Sequence, residues 1–310
     1  MMVEVKNLVK RYKELVALDH FNLEVKEGEI LGLLGPNGSG KTTAINCMLA
    51  LLSYDKGEIK IMGKEMTSDS YDIKGQIGIV PQEVALFQNL TVRENLDYFA
   101  GLYIDDSKKR KEAVEYAIRF VGLESHAKYK IKKLSGGLKR RANIACGIAH
   151  KPKLIFFDEP TVAVDAQSRN FILQGIKQLS KEGSTIIYTT HYLDEAQQLC
   201  DRIVIMDNGK SIAVGSVEDL KKNIDTREKI TVSFLEDANW ILEDLRQLPH
   251  IIDVLYDKEQ YVLKFEAGVN NLENLLDYIR QKKLVYKDLY SEQLTLNDVF
   301  LELTGKELRE

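Results

Sequence analysis

The run Gly35-Pro36-Asn37-Gly38-Ser39-Gly40-Lys41-Thr42-Thr43 limits what this chain can fold into more than any other segment. It is a G-x-x-x-x-G-K-[ST] phosphate loop, and its flanks supply the context such a loop needs. Ahead of it, Glu29-Ile30-Leu31-Gly32-Leu33-Leu34 is a short apolar run that reads as a buried strand. Behind it, Lys41 to Leu52 carries Ala44, Ile45, Met48, Leu49 and Leu52 on one helical stripe. Glycines let the backbone turn with its N–H groups facing inward, a nest for a β-phosphate. The helix N-terminus adds partial positive charge, and Lys41 adds a full one. The Thr42 hydroxyl is placed to ligate Mg²⁺, and Thr43 to bond an α-phosphate. Strand, helix and strand then repeat through Ala213, the alternation of a parallel α/β sheet.

Two further strands bring chemistry to the same sheet. Lys153 to Phe157 is apolar and ends on Asp158-Glu159, with Pro160 stopping the ladder. A carboxylate at such a strand end, beside a phosphate loop, is placed to hold Mg²⁺, and Asp158 fits that role. Glu159 points elsewhere and is placed to polarise an attacking water as general base. Ser184 to Thr190 reads as another strand and delivers His191 at its carboxyl end, where open parallel sheets bind ligands. His191 is thus expected to reach a γ-phosphate or to position water.

Leu134-Ser135-Gly136-Gly137 precedes a helical stretch from Leu138 to His150 and, taken alone, is an ordinary helix N-cap with glycines. Lying shortly before the Asp158 strand, it resembles the signature motif of ABC-type ATPases. The resemblance extends over about residues 2–225. It implies an α/β fold with an N-terminal β subdomain, a RecA-like parallel-sheet core and a helical lobe, across residues 1–225. It implies that Ser135, Gly136 and Gly137 contact the ATP held by an opposite subunit, and that Tyr12 stacks on adenine. Gln82 then matches the glutamine that senses Mg²⁺ and water, and Asp165 the dimer-contact aspartate. ATP hydrolysis, with ATP and Mg²⁺ bound, is the implied activity. No Asn-Lys-x-Asp follows the loop, which argues against a GTPase.

Leu138 departs from the family's usual glutamine, and Val162-Ala163-Val164-Asp165 from the familiar ending in Leu-Asp. Leu138 leaves two expectations open, weaker cross-subunit contact or slower turnover. The ending Leu294-Thr295-Leu296-Asn297-Asp298-Val299-Phe300-Leu301-Glu302-Leu303-Thr304-Gly305 resembles the tail of ATPases serving ABC-2 type exporters of antibiotics, other drugs, lipids or polymers. That resemblance implies an integral membrane permease as partner and a peripheral place on the cytoplasmic face of the membrane. It also implies a dimer of ATPase subunits, either two copies or a pair with a homologue. An importer ATPase, a soluble ABC protein acting on ribosomes or DNA, and a regulatory ATP-binding module are the alternatives.

Composition agrees with that division of labour. A formal charge of −4 gives no nucleic-acid footprint. No window approaches the length of uninterrupted apolar residues that a membrane helix needs, so a separate chain is expected to provide any transport path. Cys47, Cys146 and Cys200 are widely spaced and read as reduced, packed thiols. Lys128, Lys130, Lys132, Lys133, Lys139, Arg140 and Arg141 form a basic cluster, read as a solvated face or as attraction to an anionic membrane.

The insert between Gln82 and Ser135 reads as helical. Thr91 caps Val92–Tyr103, with Glu94 at the capping-box spacing, and Ser107 caps a second helix through Val121. Val84-Ala85-Leu86-Phe87 reads either as core packing or as the lining of a groove for a membrane subunit. From residue 226 the order is strand, helix, strand, strand, helix, strand, which predicts a ferredoxin-like α+β domain over 226–310. Its closing helix, Thr295–Leu308, carries Leu296, Val299, Phe300 and Leu303 on one stripe, for docking on its own domain or a dimer contact. The domain's role, as regulator, dimer brace or permease contact, stays open.

Overall fold

The computed structural model describes residues 1–235, 239–266 and 270–305. Its central sheet has six strands in the order Lys210–Gly215, Arg202–Asp207, Ile30–Leu34, Thr185–Thr190, Leu154–Asp158 and Ile77–Val80. The first two pair antiparallel, and every other neighbouring pair is parallel. Every residue of the three central strands Ile30–Leu34, Thr185–Thr190 and Leu154–Asp158 is buried. That is why their sequences run apolar without alternation: a parallel sheet is covered on both faces.

One face carries a core with Leu8, Phe21, Met48 and Phe156, into which a second, antiparallel sheet packs. That sheet is ordered Leu15–Val25, Val3–Tyr12, Lys56–Ile61, Lys64–Glu65. The other core contains Leu96, Ile118, Ile144 and Phe157, drawn partly from helices Val92–Gly101, Ser107–Phe120 and Gly136–Ile148. The helix after the phosphate loop is Lys41–Met48 and does not continue to Leu52. Ala50 takes a left-handed φ of 51°, and the N–H groups of Leu51 and Leu52 turn back onto Asn46 O. The Thr91/Glu94 capping box forms as its spacing predicts. Asp106, not Ser107, caps the next helix, accepting from Lys108 N and Lys109 N at 2.9 Å each. Both residue types cap well, and the helix simply begins one position earlier.

Among the described residues the chain divides into two compact units, 1–216 and 217–305. The second contains strands Glu228–Phe234, Ile251–Asp257, Gln260–Phe265 and Tyr286–Glu292, with helices Asn239–Leu245 and Asn271–Lys282. Its sheet is ordered Ile251–Asp257, Gln260–Phe265, Glu228–Phe234, Tyr286–Glu292, antiparallel throughout. This is the ferredoxin-like arrangement. Asp257 pairs with Gln260, so the hairpin turn is Lys258-Glu259, both at positive φ as a primed two-residue turn requires. The first helix of this unit begins within the described residues at Asn239.

The last described helix, Leu296–Thr304, buries Leu296, Val299 and Phe300 beside helix Val217–Lys222 of the same unit. Docking on its own unit is thus how this stripe is used, and residues 306–308 of the expected helix lie outside the described ones. No helix among the described residues is long and apolar enough to cross a membrane.

Candidate functional site

Four consecutive strands of the central sheet lead at their carboxyl ends into the residues singled out in the sequence. In sheet order they lead into the phosphate loop, His191, the Asp158-Glu159 pair and the Gln82 loop. The strands end nearly level, with Leu34 paired to Thr190, Asp158 to Thr189 and Val80 to Phe157. The parallel register therefore brings together residues far apart in the chain.

Glu159 is their meeting point. Its Oε1 lies 3.2 Å from Lys41 Nζ and 3.3 Å from His191 Nδ1, and its Oε2 accepts from Gln82 Nε2 at 3.2 Å. The His191 contact is within ion-pair reach but off hydrogen-bonding geometry. Lys41 and Glu159 are each only 5% exposed. Glu159 also holds a left-handed φ of 45°, where a β-carbon is strained, while its N–H donates to Thr189 O and Oγ1. Such strain persists only where surrounding bonds overdetermine it, and it gathers at functional sites. Lys41 further donates to Gly35 O at 2.8 Å and Pro36 O at 3.1 Å. The Thr42 hydroxyl donates to Asp158 Oδ2 at 2.9 Å, and Thr189 Oγ1 donates to Asp158 Oδ1 at 2.7 Å. Thr189 is a supporting residue that sequence reasoning did not single out.

The loop itself is tightly built. Gly38 and Gly40 have φ of 84° and 104°, and a Cβ on Gly40 would stand 2.6 Å from Ala17 O. Ser39 Oγ is buried with no hydrogen-bond partner among the described residues, an orphaned donor inside a loop shaped for an anion. A cavity of about 430 Å³ opens here, lined by Tyr12, Asn37, Gly38, Gly40, Lys41, Thr42, Thr43, Gln82 and Glu159. Leu15, Val16, Ala17, Asn208 and Gly209 complete it.

Ser135, Gly136, Gly137 and Asp165 do not line this cavity. They stand together instead. Ser135 caps helix Gly136–Ile148, and Asp165 caps helix Ala166–Lys181 by accepting from Ser168 N. That bond holds the Asp165 carboxyl below its ordinary pKa. Gly137 is where the two helix starts meet, since a Cβ there would lie 2.5 Å from Ser168 Oγ and 3.1 Å from Asp165 Oδ2.

A buried carboxylate behind His191 went unread in the sequence. Glu195, 0% exposed, accepts from Tyr188 OH at 2.6 Å, Thr161 Oγ1 at 2.9 Å, Thr190 Oγ1 at 3.0 Å and Arg169 Nε at 2.6 Å. Burial, together with this neighbouring carboxylate, pushes the Tyr188 phenol far up. The Arg169 guanidinium also lies 4.3 Å over the Tyr192 ring, which in turn sits 4.2 Å from the His191 ring. Replacing Glu195 by Ala takes the carboxylate acceptor from an arginine and three hydroxyls, and is expected to cost about 3–5 kcal/mol of stability. Urea unfolding checks this, and a loss below about 1 kcal/mol would show the network to be energetically idle.

The basic cluster splits on inspection. Lys128, Lys130, Lys132 and Lys133 are exposed, as a solvated face requires. Arg140 and Arg141 are not part of that face: their guanidiniums donate to the carbonyls of Pro81 and Gln82, and of Val121 and Gly122. Val84-Ala85-Leu86-Phe87 divides likewise, with Leu86 in the core and Phe87 exposed in an aromatic cluster with Tyr98 and Phe99. Beside it lies a groove of about 260 Å³, lined mainly by apolar side chains including Ile79, Phe99, Leu102 and Tyr103. All three cysteines are free, and burial raises the Cys47 thiol to about 11.

A phosphate loop at the carboxyl edge of a parallel sheet, facing an Asp-Glu pair, defines a nucleoside-triphosphate-binding cassette. Comparison with known proteins narrows the class. The family description "ABC transporter" matches residues 18–162, and "ATP-binding protein DrrA1-3-like, C-terminal domain" matches residues 215–304. The linearmycin resistance ATP-binding protein LnrL of Bacillus subtilis is 38% identical over 100% of both chains. The daunorubicin resistance ATP-binding protein DrrA3 of Streptomyces coeruleorubidus is 30% identical over 99% of this chain and 97% of its own. Among solved structures, the dimeric ATP-binding cassette MJ0796 in a post-hydrolysis state with ADP and Pi aligns at a TM-score of 0.64. It shares 30% identity over 69% of this chain and 98% of its own. The chain belongs to the ATP-binding proteins of the ABC transporter family and is an ATPase of that family.

Proposed function

We propose that this chain energises an exporter of a drug, antibiotic, lipid or similar compound, with a separate integral membrane permease providing the path. The observation that carries the reading is the convergence of Lys41, Gln82 and His191 on Glu159 above the phosphate loop. The full-length likeness to two resistance ATP-binding proteins supports the exporter branch. In this reading Gly35 to Thr43 bind the phosphates, Tyr12 stacks on adenine, and Glu159 is the general base. His191 and Gln82 organise the γ-phosphate and the water. Thr42 Oγ1, the Asp158 carboxylate and Gln82 are the oxygen donors suited to Mg²⁺, a hard cation that neutralises phosphate charge when bound.

Two copies, or this chain and a homologue, face head to tail. Ser135, Gly136 and Gly137 then serve the partner's ATP, which suits their place outside the chain's own cavity. Asp165 lies at the same contact. The cassette, 1–225, docks on the cytoplasmic face of the membrane, with the groove beside Phe87 receiving the permease, and 226–310 is an accessory domain.

The test is affinity capture of the full chain from detergent-solubilised cells, with co-purifying proteins identified by mass spectrometry. A polytopic membrane protein at near-stoichiometric yield is expected; ribosomal proteins or DNA in its place would move the chain to the soluble branch. A second expectation concerns a mixed dimer with Ser135→Arg in one size-tagged subunit. Azido-ATP labelling should fall about tenfold on the unaltered subunit, as for the loss of a charge-assisted hydrogen bond. Loss on the altered subunit's own loop would contradict the head-to-tail arrangement.

A further inference from the structure

Segments 87–93 and 127–133 run side by side in opposite directions. Ile131 N donates to Leu90 O and Val92 N to Tyr129 O at 3.0 Å each, and Lys132 N donates to Gln88 O at 3.1 Å. Thr91 and Lys130 pair between them as an antiparallel bridge. Ala127 and Ile131 are buried, while Lys128, Lys130, Lys132 and Lys133 stay exposed. Neither segment holds an Asp or a Glu. Glu94, the first carboxylate beyond them, is held by Thr91 N at 2.7 Å and Thr91 Oγ1 at 2.8 Å. None of the four lysines forms an ion pair among the described residues, and Lys132 Nζ donates only to the neutral Asn89 Oδ1, at 3.0 Å.

Aromatic rings stand at the end of this ribbon. Phe87, Tyr98 and Tyr129 are each about half exposed. The Phe87 ring lies 5.0 Å from Tyr98 and 6.0 Å from Phe99, and Phe99 lines the apolar groove. Groove, aromatic cluster and lysines are therefore one continuous surface. A permease lies in the bilayer, so a groove that receives one looks towards the membrane, and the lysines beside it look the same way. The whole chain carries a formal charge of −4, so attraction to an anionic surface can come only from such a local patch. Lysine brings a point charge on a flexible stem, without the fork that reads the geometry of one partner group. Unpaired lysines beside half-exposed aromatic rings suit a diffuse layer of headgroups.

We propose that Lys128, Lys130, Lys132 and Lys133, with Phe87, Tyr98 and Tyr129, form a surface that rests on the anionic lipid headgroups of the membrane. The lysines supply the attraction, and the rings sit at headgroup level. The cassette is then held to the bilayer by its own residues as well as by the permease. This inference rests on the groove beside Phe87 facing the permease.

Co-sedimentation of the purified full chain with vesicles tests it, without any permease present. One set is one part phosphatidylglycerol to two of phosphatidylcholine, and the other is phosphatidylcholine alone. The chain should bind the anionic set and not the neutral one, and release as salt rises from about 0.05 to about 0.5 M. Changing Lys128, Lys130 and Lys132 together to Gln should weaken binding about 100-fold, at roughly fivefold for each charge near the surface. Lys56, Lys60 and Lys64 are exposed on the antiparallel sheet, across the central sheet from the helical core. Changing these three to Gln alters the net charge equally and should leave binding within about twofold, since a charge beyond a Debye length is screened. Should the first triple variant fail to fold, Lys130→Gln alone reads the fivefold step.

No binding to the anionic vesicles, equal binding to both sets, or an equal loss in both triple variants would each overturn the inference. Permease capture from detergent is a separate measurement, so such a failure leaves the exporter reading standing. Permease capture lost in the first triple variant, with no vesicle binding by the unaltered chain, would give the lysines to an acidic segment of the permease instead.

Discussion

Replacing Glu159 by Gln is expected to lower ATP turnover by about 10²- to 10⁴-fold, the usual contribution of a positioned general base. ATP binding should survive and tighten. In the resting chain Glu159 draws Lys41 to within 3.2 Å, so incoming phosphates must compete with a buried carboxylate for that ammonium. The amide keeps the shape and the hydrogen-bond reach towards Gln82 but surrenders the charge. Removing that charge frees Lys41 and lifts the repulsion between carboxylate and γ-phosphate. Turnover by phosphate release and affinity by a fluorescent nucleotide separate the two effects. Unimpaired turnover would take Glu159 out of the chemistry.

Replacing Lys41 by Met is expected to weaken ATP binding about 10- to 100-fold, the loss of a charge-assisted hydrogen bond to phosphate. It should also destabilise the nucleotide-free protein by about 3 kcal/mol, because Glu159 is left buried with its cation gone. The Lys41 ammonium also ties Gly35 O and Pro36 O, so the loop loses its internal brace as well. Lys41→Met combined with Glu159→Gln should recover most of the stability and none of the turnover. Denaturant unfolding of the three variants reads this directly. A double variant as unstable as Lys41→Met would show that the pair contributes nothing to the resting fold.

Legibility in the sequence followed the range of the interactions. The phosphate loop, the Asp158-Glu159 strand end and His191 were readable because each carries its chemistry in a fixed local context. The β-α-β-β-α-β order of the second unit was readable for the same reason, since element type follows local period. Arg140 and Arg141 were misread with the neighbouring lysines, because a charge run betrays nothing of which members a fold will bury. Glu195 and Arg169 lie 26 places apart on separate helices. Their pairing exists only once strand Thr185–Thr190 and the segment after Glu159 stand side by side. The Asp106 cap was missed between two equally able neighbours, and the cavity walls at Ala17 and Gly209 come from a strand of one sheet and a hairpin turn of the other.

The level ends of the central strands make strand length a measuring rod. Each added or deleted residue moves a strand's end by about 3.3 Å and turns every side chain beyond it to the opposite face. One residue lost from Thr185–Thr190 would thus withdraw His191 from Glu159 and leave the buried carboxylate of Glu195 facing the wrong wall. Side chains on these strands can be exchanged for others of similar volume, but their number cannot change. Insertions and deletions should therefore be tolerated only in the connections at the opposite edge of the sheet, away from the phosphate loop.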